Sequence, residues 1–88
     1  GIFDLGGGEI EAKVMAEIFV EKQLKSPATA DFPSTNKYTA SEIEDDVWRV
    51  SGFVAAQNSF GATIRTHWTV TIRYKGNYKW SLLDIDFD

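Results

Sequence analysis

The chain has 88 residues, of which 43% are apolar, and a formal net charge of −4. This length allows one domain, and six Phe, three Trp and three Tyr can fill its core, so wholesale disorder is not expected. The acidic balance argues against a general nucleic-acid binder, and the lack of cysteine excludes disulfides and thiolate chemistry. No apolar run approaches the roughly 20 residues that a membrane span needs.

The first 25 residues predict a leader followed by a helix. Residues 1–8 contain three consecutive glycines and are expected to form a flexible leader, so that residues 9–88 form a single domain. The stretch Glu9–Lys25 has acids at its start, lysines at its end and Ser26-Pro27 after it, which predicts a helix. The face expected to pack on the core carries Ala12, Met15, Ala16, Phe19, Val20 and Leu24.

A second apolar stripe on the same helix consists of Ile10, Val14 and Ile18. Side chains at this spacing lie above one another on a helix, outside the main core face. We expect either the leader or a second copy of the chain to cover them. The sequence therefore leaves open a homodimer through this stripe.

The rest of the chain predicts a loop and four strands. Ser26–Asn36 contains both prolines and is expected to be an irregular connection, with Phe32 at the core edge. The acids Glu44–Asp46 predict a solvated turn rather than a calcium site, because the ligand spacing of an EF-hand is missing. The strands are expected at Lys37–Ile43, Val47–Gln57, Ala62–Lys75 and Tyr78–Phe87.

Alternation assigns the faces of the two long strands. The core side is expected to carry Trp48, Val50, Val54, Ala56, Ala62, Ile64, Trp68, Val70, Ile72 and Tyr74. In the last strand the large residues change face at Leu82-Leu83, where a β-bulge would keep both sets buried, whereas a regular strand would leave Tyr78 and Trp80 on the outer face. The expected fold is α+β, with an N-terminal helix packed on a four-stranded antiparallel meander.

Two candidate binding surfaces follow from this arrangement. The outer sheet face is expected to carry Arg49, Phe53, Arg65, His67 and Arg73, with Tyr78 and Trp80 if no bulge forms. Arginine and aromatic side chains suit an anionic ligand or a protein partner. The alternative is a solvated face on which Arg73 or Lys75 pairs with Asp84 or Asp86.

The second candidate surface is the hairpin loop 57–61, where Phe60 either anchors a partner or folds back onto the core. His67 is the only histidine, and its sequence neighbours do not form a triad. No phosphate-binding glycine loop follows a strand. We therefore expect no enzymatic activity, no cofactor and no metal.

The predicted helix-then-meander order resembles the cystatin-like fold, and Gln57–Gly61 (QNSFG) is similar to the Gln-x-Val-x-Gly inhibitory loop of cystatins. Ser59 replaces the central Val, and this loop joins the second and third strands rather than the first and second. The resemblance implies two alternative functions: a small ligand held between helix and sheet, or protease inhibition through the loop.

A further resemblance extends from Phe19 to Phe87. The stretches Leu24–Pro33 (LKSPATADFP), Trp48-x-Val50-x-Gly52 and Ala56–Arg65 (AQNSFGATIR) are similar to small uncharacterised domains of bacterial and prophage proteins. Such domains are often attached to lipoprotein signals or membrane helices, which implies a bacterial cell-envelope or other extracytoplasmic location. The function expected from all these features is that of a non-enzymatic interaction or accessory domain.

Overall fold

The computed structural model of the chain describes residues 6–88, in which one helix packs on one antiparallel sheet. The elements are helix α1 and four strands, with bounds α1 Glu9–Gln23, β1 Thr39–Glu44, β2 Val47–Gln57, β3 Thr63–Tyr74 and β4 Trp80–Phe87. The strands follow the order β1-β2-β3-β4, and each pairs antiparallel with the next. The α+β fold predicted from the sequence is confirmed.

Helix α1 covers the sheet with the face that the sequence indicates. Its innermost residues are Ala12, Ala16 and Val20, and Met15, Phe19 and Leu24 pack around them. The helix ends at Gln23, two residues earlier than expected, because Leu24 adopts an extended backbone. This change of direction keeps Leu24 against the core and starts the path of the chain toward the edge of the sheet.

The centre of the core is an aromatic contact above a glycine. Trp68 is fully buried and meets Tyr38 edge-to-face with ring centroids 4.9 Å apart. Both rings lie over Gly52, where a Cβ atom would come within 2.4 Å of the Tyr38 ring and 2.8 Å of Trp68. The Tyr38 hydroxyl donates a 2.5 Å hydrogen bond to Glu17 Oε1. Burial, and then the Glu17 carboxylate, raise the pKa of Tyr38 far above its usual range.

Of the two alternatives for β4, the structure has the one with a β-bulge. Thr71 pairs with Asp84 and Ile72 pairs with Leu82, so Leu83 is the extra residue. The bulge keeps Trp80 and Leu82 on the helix side together with Ile85.

Trp80 was a candidate for the outer sheet face, and that placement is wrong. Because the bulge reverses the alternation, the Trp80 ring packs against Tyr74 and its Nε1–H donates to Glu11 Oε1 at 2.5 Å. Tyr78 does not belong to β4. It lies in the preceding turn, where Gly76, Asn77 and Tyr78 all have positive φ, and its side chain is exposed.

The first residues that the structure describes pack against the sheet and do not extend into solvent. Gly6 and Gly7 lie against Tyr74, and an added methyl at either would come within 3 Å of its side chain. Residues 1–5 of the predicted leader lie outside the described residues.

The two long strands extend well past the helix. Helix α1 has 15 residues, which span about 22 Å, whereas the 12 residues of β3 span about 40 Å. The molecule is accordingly elongated, with extents of 48 × 22 × 19 Å. Ala62 and Ile64 were expected in the core, but both are exposed, Ile64 at 47%. Ile64 lines an open groove at the end of the helix and is not covered by the buried face of the helix. The far part of the hairpin, residues 53–67, is called the hairpin end below.

The two edges of the hairpin end differ. On the β2 side, Asp31 exchanges two backbone hydrogen bonds with Ala55, of 2.7 and 3.1 Å. The Thr29 hydroxyl accepts a hydrogen bond from the Gln57 N–H at 3.0 Å and donates to the Ser26 carbonyl. The irregular segment 26–32 therefore closes this edge. On the β3 side, β4 pairs only as far as Trp68, and Asp88 adds one bond to the His67 carbonyl.

Candidate functional site at the hairpin end

The tip of the hairpin is a tightly hydrogen-bonded loop. The Asn58 N–H donates to the Ala62 carbonyl at 2.9 Å, and the Gly61 N–H donates to the Asn58 carbonyl at 3.0 Å. The Asn58 side-chain oxygen also accepts hydrogen bonds from the N–H groups of Phe60 and Ala62, at 2.9 and 3.1 Å. Gly61 has φ of +81°, as expected for a three-residue hairpin loop closed by a left-handed glycine. The backbone of the tip is therefore held in one conformation.

Phe60 stands on this rigid tip with 92% of its surface exposed. The alternative in which Phe60 folds back onto the core is therefore wrong. The hydrogen bonds of the loop fix the backbone direction at residue 60, and the ring points into solvent. Aromatic side chains are enriched at protein interfaces, so Phe60 is a candidate contact residue.

The outer face of the hairpin end carries a compact cluster of Phe53, Arg65 and His67. Phe53 and His67 are directly opposite each other on β2 and β3, with ring centroids 6.2 Å apart in an edge-to-face arrangement. The Arg65 guanidinium lies over the Phe53 ring, with its Cζ atom 3.7 Å from the ring centroid. Stacking holds the guanidinium plane in place while its N–H groups stay available to a carboxylate or phosphate.

Arg49 and Arg73, which the sequence placed on the same surface, lie away from this cluster. They are on the outer face, but Arg73 is eight residues from Arg65 along β3, roughly 26 Å. Ser51 and Thr69 lie between, and their hydroxyls are 3.2 Å apart. The candidate residues therefore divide into one cluster at the hairpin end and two isolated arginines at the opposite half of the sheet.

The salt bridges considered as the alternative for this face are not formed. Arg73 is opposite Ser81, whereas Asp84 and Asp86 are opposite Thr71 and Thr69. Within residues 6–88, one ion pair has its nitrogen and oxygen atoms less than 4 Å apart. It joins Lys13 Nζ to Glu9 Oε2 on the helix, at 3.2 Å. The outer arginines are thus exposed cations without a carboxylate partner in the described part of the chain.

The helix side of the hairpin end contains a groove that the sequence did not indicate. Its volume is about 270 Å³, and it begins where the helix ends. Its lining is largely apolar and includes Lys25 and three amide residues. The lining residues are Gln23, Leu24, Lys25, Val54, Ala56, Gln57, Asn58, Ile64, Thr66 and Phe87. A comparison of the expected helix and strand lengths could have found it, because a helix rises less than half as far per residue as a strand.

The surroundings of His67 and of the acidic residues bear on catalysis and metal binding. Among the described side chains, His67 makes no hydrogen bond to a hydroxyl or carboxylate, and its ring contact is with Phe53. No three His, Asp or Glu side chains in residues 6–88 are close enough together to hold a metal ion. The helix in this part of the chain is too short and too polar to cross a membrane.

Comparison of the chain with protein-family models, with curated protein sequences and with solved structures finds no match. The resemblances to cystatins and to bacterial and prophage domains remain predictions from the sequence.

Proposed function

We propose that this chain is a non-enzymatic protein-interaction domain whose contact surface is the hairpin end. The observation that carries the proposal is Phe60, which is 92% exposed on a loop fixed by the Asn58 hydrogen bonds. Exposed apolar surface on a rigid element favours association, because little conformational freedom is lost on binding. Aromatic and arginine side chains dominate the binding energy of many interfaces.

The Arg65–Phe53–His67 cluster extends this surface on the outer face of the same hairpin. Because Arg65 is already stacked, its guanidinium loses little freedom on pairing with an acidic group of the partner. The central anchor is thus Phe60, with a cationic patch beside it.

The test is capture of a partner from extracts of the cells that produce the chain, identification by mass spectrometry, and measurement of its Kd against variants. We expect Phe60→Ser to weaken binding about thirtyfold and Arg65→Ala about tenfold. Arg73→Ala is the matched control, since this arginine is exposed on the same face at the far half of the sheet, and its Kd should equal that of wild type. Equal Kd values for Phe60→Ser and wild type would refute the proposal.

A small-ligand domain is the second candidate, supported by the groove of about 270 Å³ between the end of α1 and the hairpin. This volume is slightly below the usual range of pockets that hold drug-sized molecules, so the interaction function is favoured. A fragment screen followed by NMR tests the candidate: shifts confined to Leu24, Ala56 and Ile64 would support it, and no binder at millimolar concentration would count against it.

We infer further that the parent protein is bacterial or from a phage and is located at the cell envelope, as a lipoprotein or similar accessory protein. The support is the resemblance carried by Leu24–Pro33 and Ala56–Arg65. Fractionation of the source cells with an antibody against the domain tests this location. Recovery in the cytosolic fraction alone would contradict it.

A further inference from the structure

The outer face of the sheet has a depression over the middle of the two central strands, β2 and β3. Its volume is about 320 Å³, and the pairs Ser51–Thr69 and Phe53–His67 line it. On each strand a small hydroxyl side chain is followed, two residues away on the same face, by a large ring. This difference in side-chain size creates the depression, which is therefore built into the central strands.

Two hydroxyl groups line the depression. Ser51 and Thr69 lie opposite each other and are half-buried, with their hydroxyl oxygens 3.2 Å apart. A hydroxyl has one donor and two acceptor sites, so a bond between the two leaves a donor and further acceptors for a ligand. Thr39 and Asp86 continue the same row across β1 and β4. The middle of the outer face can thus both donate hydrogen bonds to a ligand and accept them from it.

Two aromatic rings line the depression next to these hydroxyl groups. The Phe53 and His67 rings meet edge-to-face, and the Arg65 guanidinium stacks on Phe53. These contacts on two sides hold the Phe53 ring in one orientation. A fixed ring beside hydrogen-bonding groups offers a surface for the C–H groups of a polar ligand.

Charges of both signs border the depression. Lys37, shortly before β1, and Asp88, directly after β4, both line it. Neither side chain forms an ion pair within residues 6–88. A cationic ligand would be repelled by Lys37 and an anionic ligand by Asp88, so charge favours neither. A neutral ligand with many hydroxyl groups can accept from Lys37 and donate to Asp88, and it matches this set of groups best.

From these features we propose that the outer-face depression binds a neutral carbohydrate, as a monosaccharide or disaccharide. The C–H groups of a sugar ring pack against Phe53, and its hydroxyl groups form hydrogen bonds with Ser51, Thr69 and the charged side chains at the border. The volume of the depression is at the lower end of the range for small-molecule sites. The inference goes beyond the proposed function, because the tip residue Phe60 is not part of this site.

The test is a titration of the ¹⁵N-labelled chain with three neutral disaccharides: cellobiose, lactose and N,N′-diacetylchitobiose. We expect one or more of them to shift the amide signals of Ser51, Phe53 and Thr69 in a saturable way at millimolar concentration. Cyclohexylmethanol, which has a six-membered ring and a single hydroxyl group, is the control and should cause no saturable shift.

Charged sugars test the argument from charge. Glucuronate and glucosamine should bind no more tightly than glucose, because each meets a like charge at one side of the depression. Tighter binding of either charged sugar would overturn the proposal. So would the absence of saturable shifts with all three disaccharides, or shifts confined to another part of the chain.

Variants at the two hydroxyl groups locate the site. Thr69→Val keeps the β-branched shape and removes the hydroxyl group, so it should weaken the tightest disaccharide about tenfold. Thr71→Val is the matched control, since Thr71 lies on the same face of β3 outside the depression, and it should bind like wild type. Ser51→Ala should also weaken binding. Wild-type affinity in both Thr69→Val and Ser51→Ala, or equal losses in Thr69→Val and Thr71→Val, would contradict the proposal.

The carbohydrate site and the proposed protein contact can fail separately. Phe60→Ser should leave the Kd for the disaccharide unchanged, because the tip lies outside the depression. If no sugar binds but Phe60→Ser still loses the captured partner, only the carbohydrate site is refuted. If a sugar binds the depression but Phe60→Ser keeps full affinity for the partner, the role of the exposed tip is refuted.

Discussion

At the scale of single residues, Gly52 determines how the core closes. It allows Tyr38 and Trp68 to meet over the β2 backbone, where any Cβ would overlap both rings. Its φ is ordinary for a strand, so the requirement is one of space and not of conformation. The Tyr38 hydroxyl then reaches Glu17 and joins the sheet to the helix.

We expect Gly52→Ala to lower the free energy of unfolding by about 1–3 kcal/mol, because the added methyl overpacks two buried rings. Urea denaturation measures the effect. The control is Ser41→Ala, which places alanine at an exposed strand position, and its change should stay within about 0.5 kcal/mol. A Gly52→Ala variant as stable as wild type would show that the ring contact is wrongly placed.

Tyr38 also makes stability depend on pH. Its folded-state pKa is raised, so its contribution is fully present below the unfolded pKa of about 10 and is lost as the pH rises above that value. We expect the unfolding free energy to fall above pH 10 with a slope of up to about 1.4 kcal/mol per pH unit from this group. Tyr38→Phe should remove that slope. Identical pH profiles for both proteins, from urea melts between pH 8 and 11.5, would contradict the assignment.

At the scale of elements, the segment 26–32 is a cover for a strand edge. Unpaired strand edges promote unwanted pairing, and natural sheets protect them. Asp31 forms backbone hydrogen bonds with Ala55 of β2, and the Thr29 hydroxyl accepts the Gln57 N–H. Segment 26–32 therefore protects the outer edge of β2 at the hairpin end.

Thr29→Val tests the cover. The variant loses the acceptor for the Gln57 N–H and the donor to Ser26, so we expect a loss of roughly 0.5–1.5 kcal/mol and faster hydrogen exchange at Gln57. Thr63→Val is the control, because this exposed threonine is on β3, and its stability should change by less than about 0.5 kcal/mol. Unaltered exchange at Gln57 would mean that Thr29 does not close the edge.

The sequence predicts where the helix and strands lie along the chain better than how these elements contact one another. Alternation is a local property, so it located β2 and the change of face that creates the Leu83 bulge. The path of segment 26–32 depends on backbone hydrogen bonds to a strand distant in sequence. Such bonds cannot be predicted from the pattern of side chains. The separation of Arg73 from Arg65 follows directly from their places on one strand. The Trp80 side chain could be placed only once the bulge was established.

At the scale of the whole molecule, a short helix on a long hairpin leaves two apolar areas uncovered. One is the hairpin end. The other is the stripe of Ile10, Val14 and Ile18 on α1, of which Ile10 is 77% exposed. A homodimer through this stripe stays a prediction. We expect sedimentation to show concentration-dependent dimers that Val14→Lys abolishes without loss of helix, and a monomer at high concentration would exclude the dimer.

The central claim is that the hairpin end contacts a partner, and the most direct measurement is site-specific photo-crosslinking. A benzophenone amino acid at position 60 is compared with the same group at position 45, an exposed turn at the other end of β2. We expect one defined protein crosslinked from position 60 and not from 45, with competition by wild type but not by Phe60→Ser. Equal crosslinking from both positions, or equal competition by both proteins, would contradict the account.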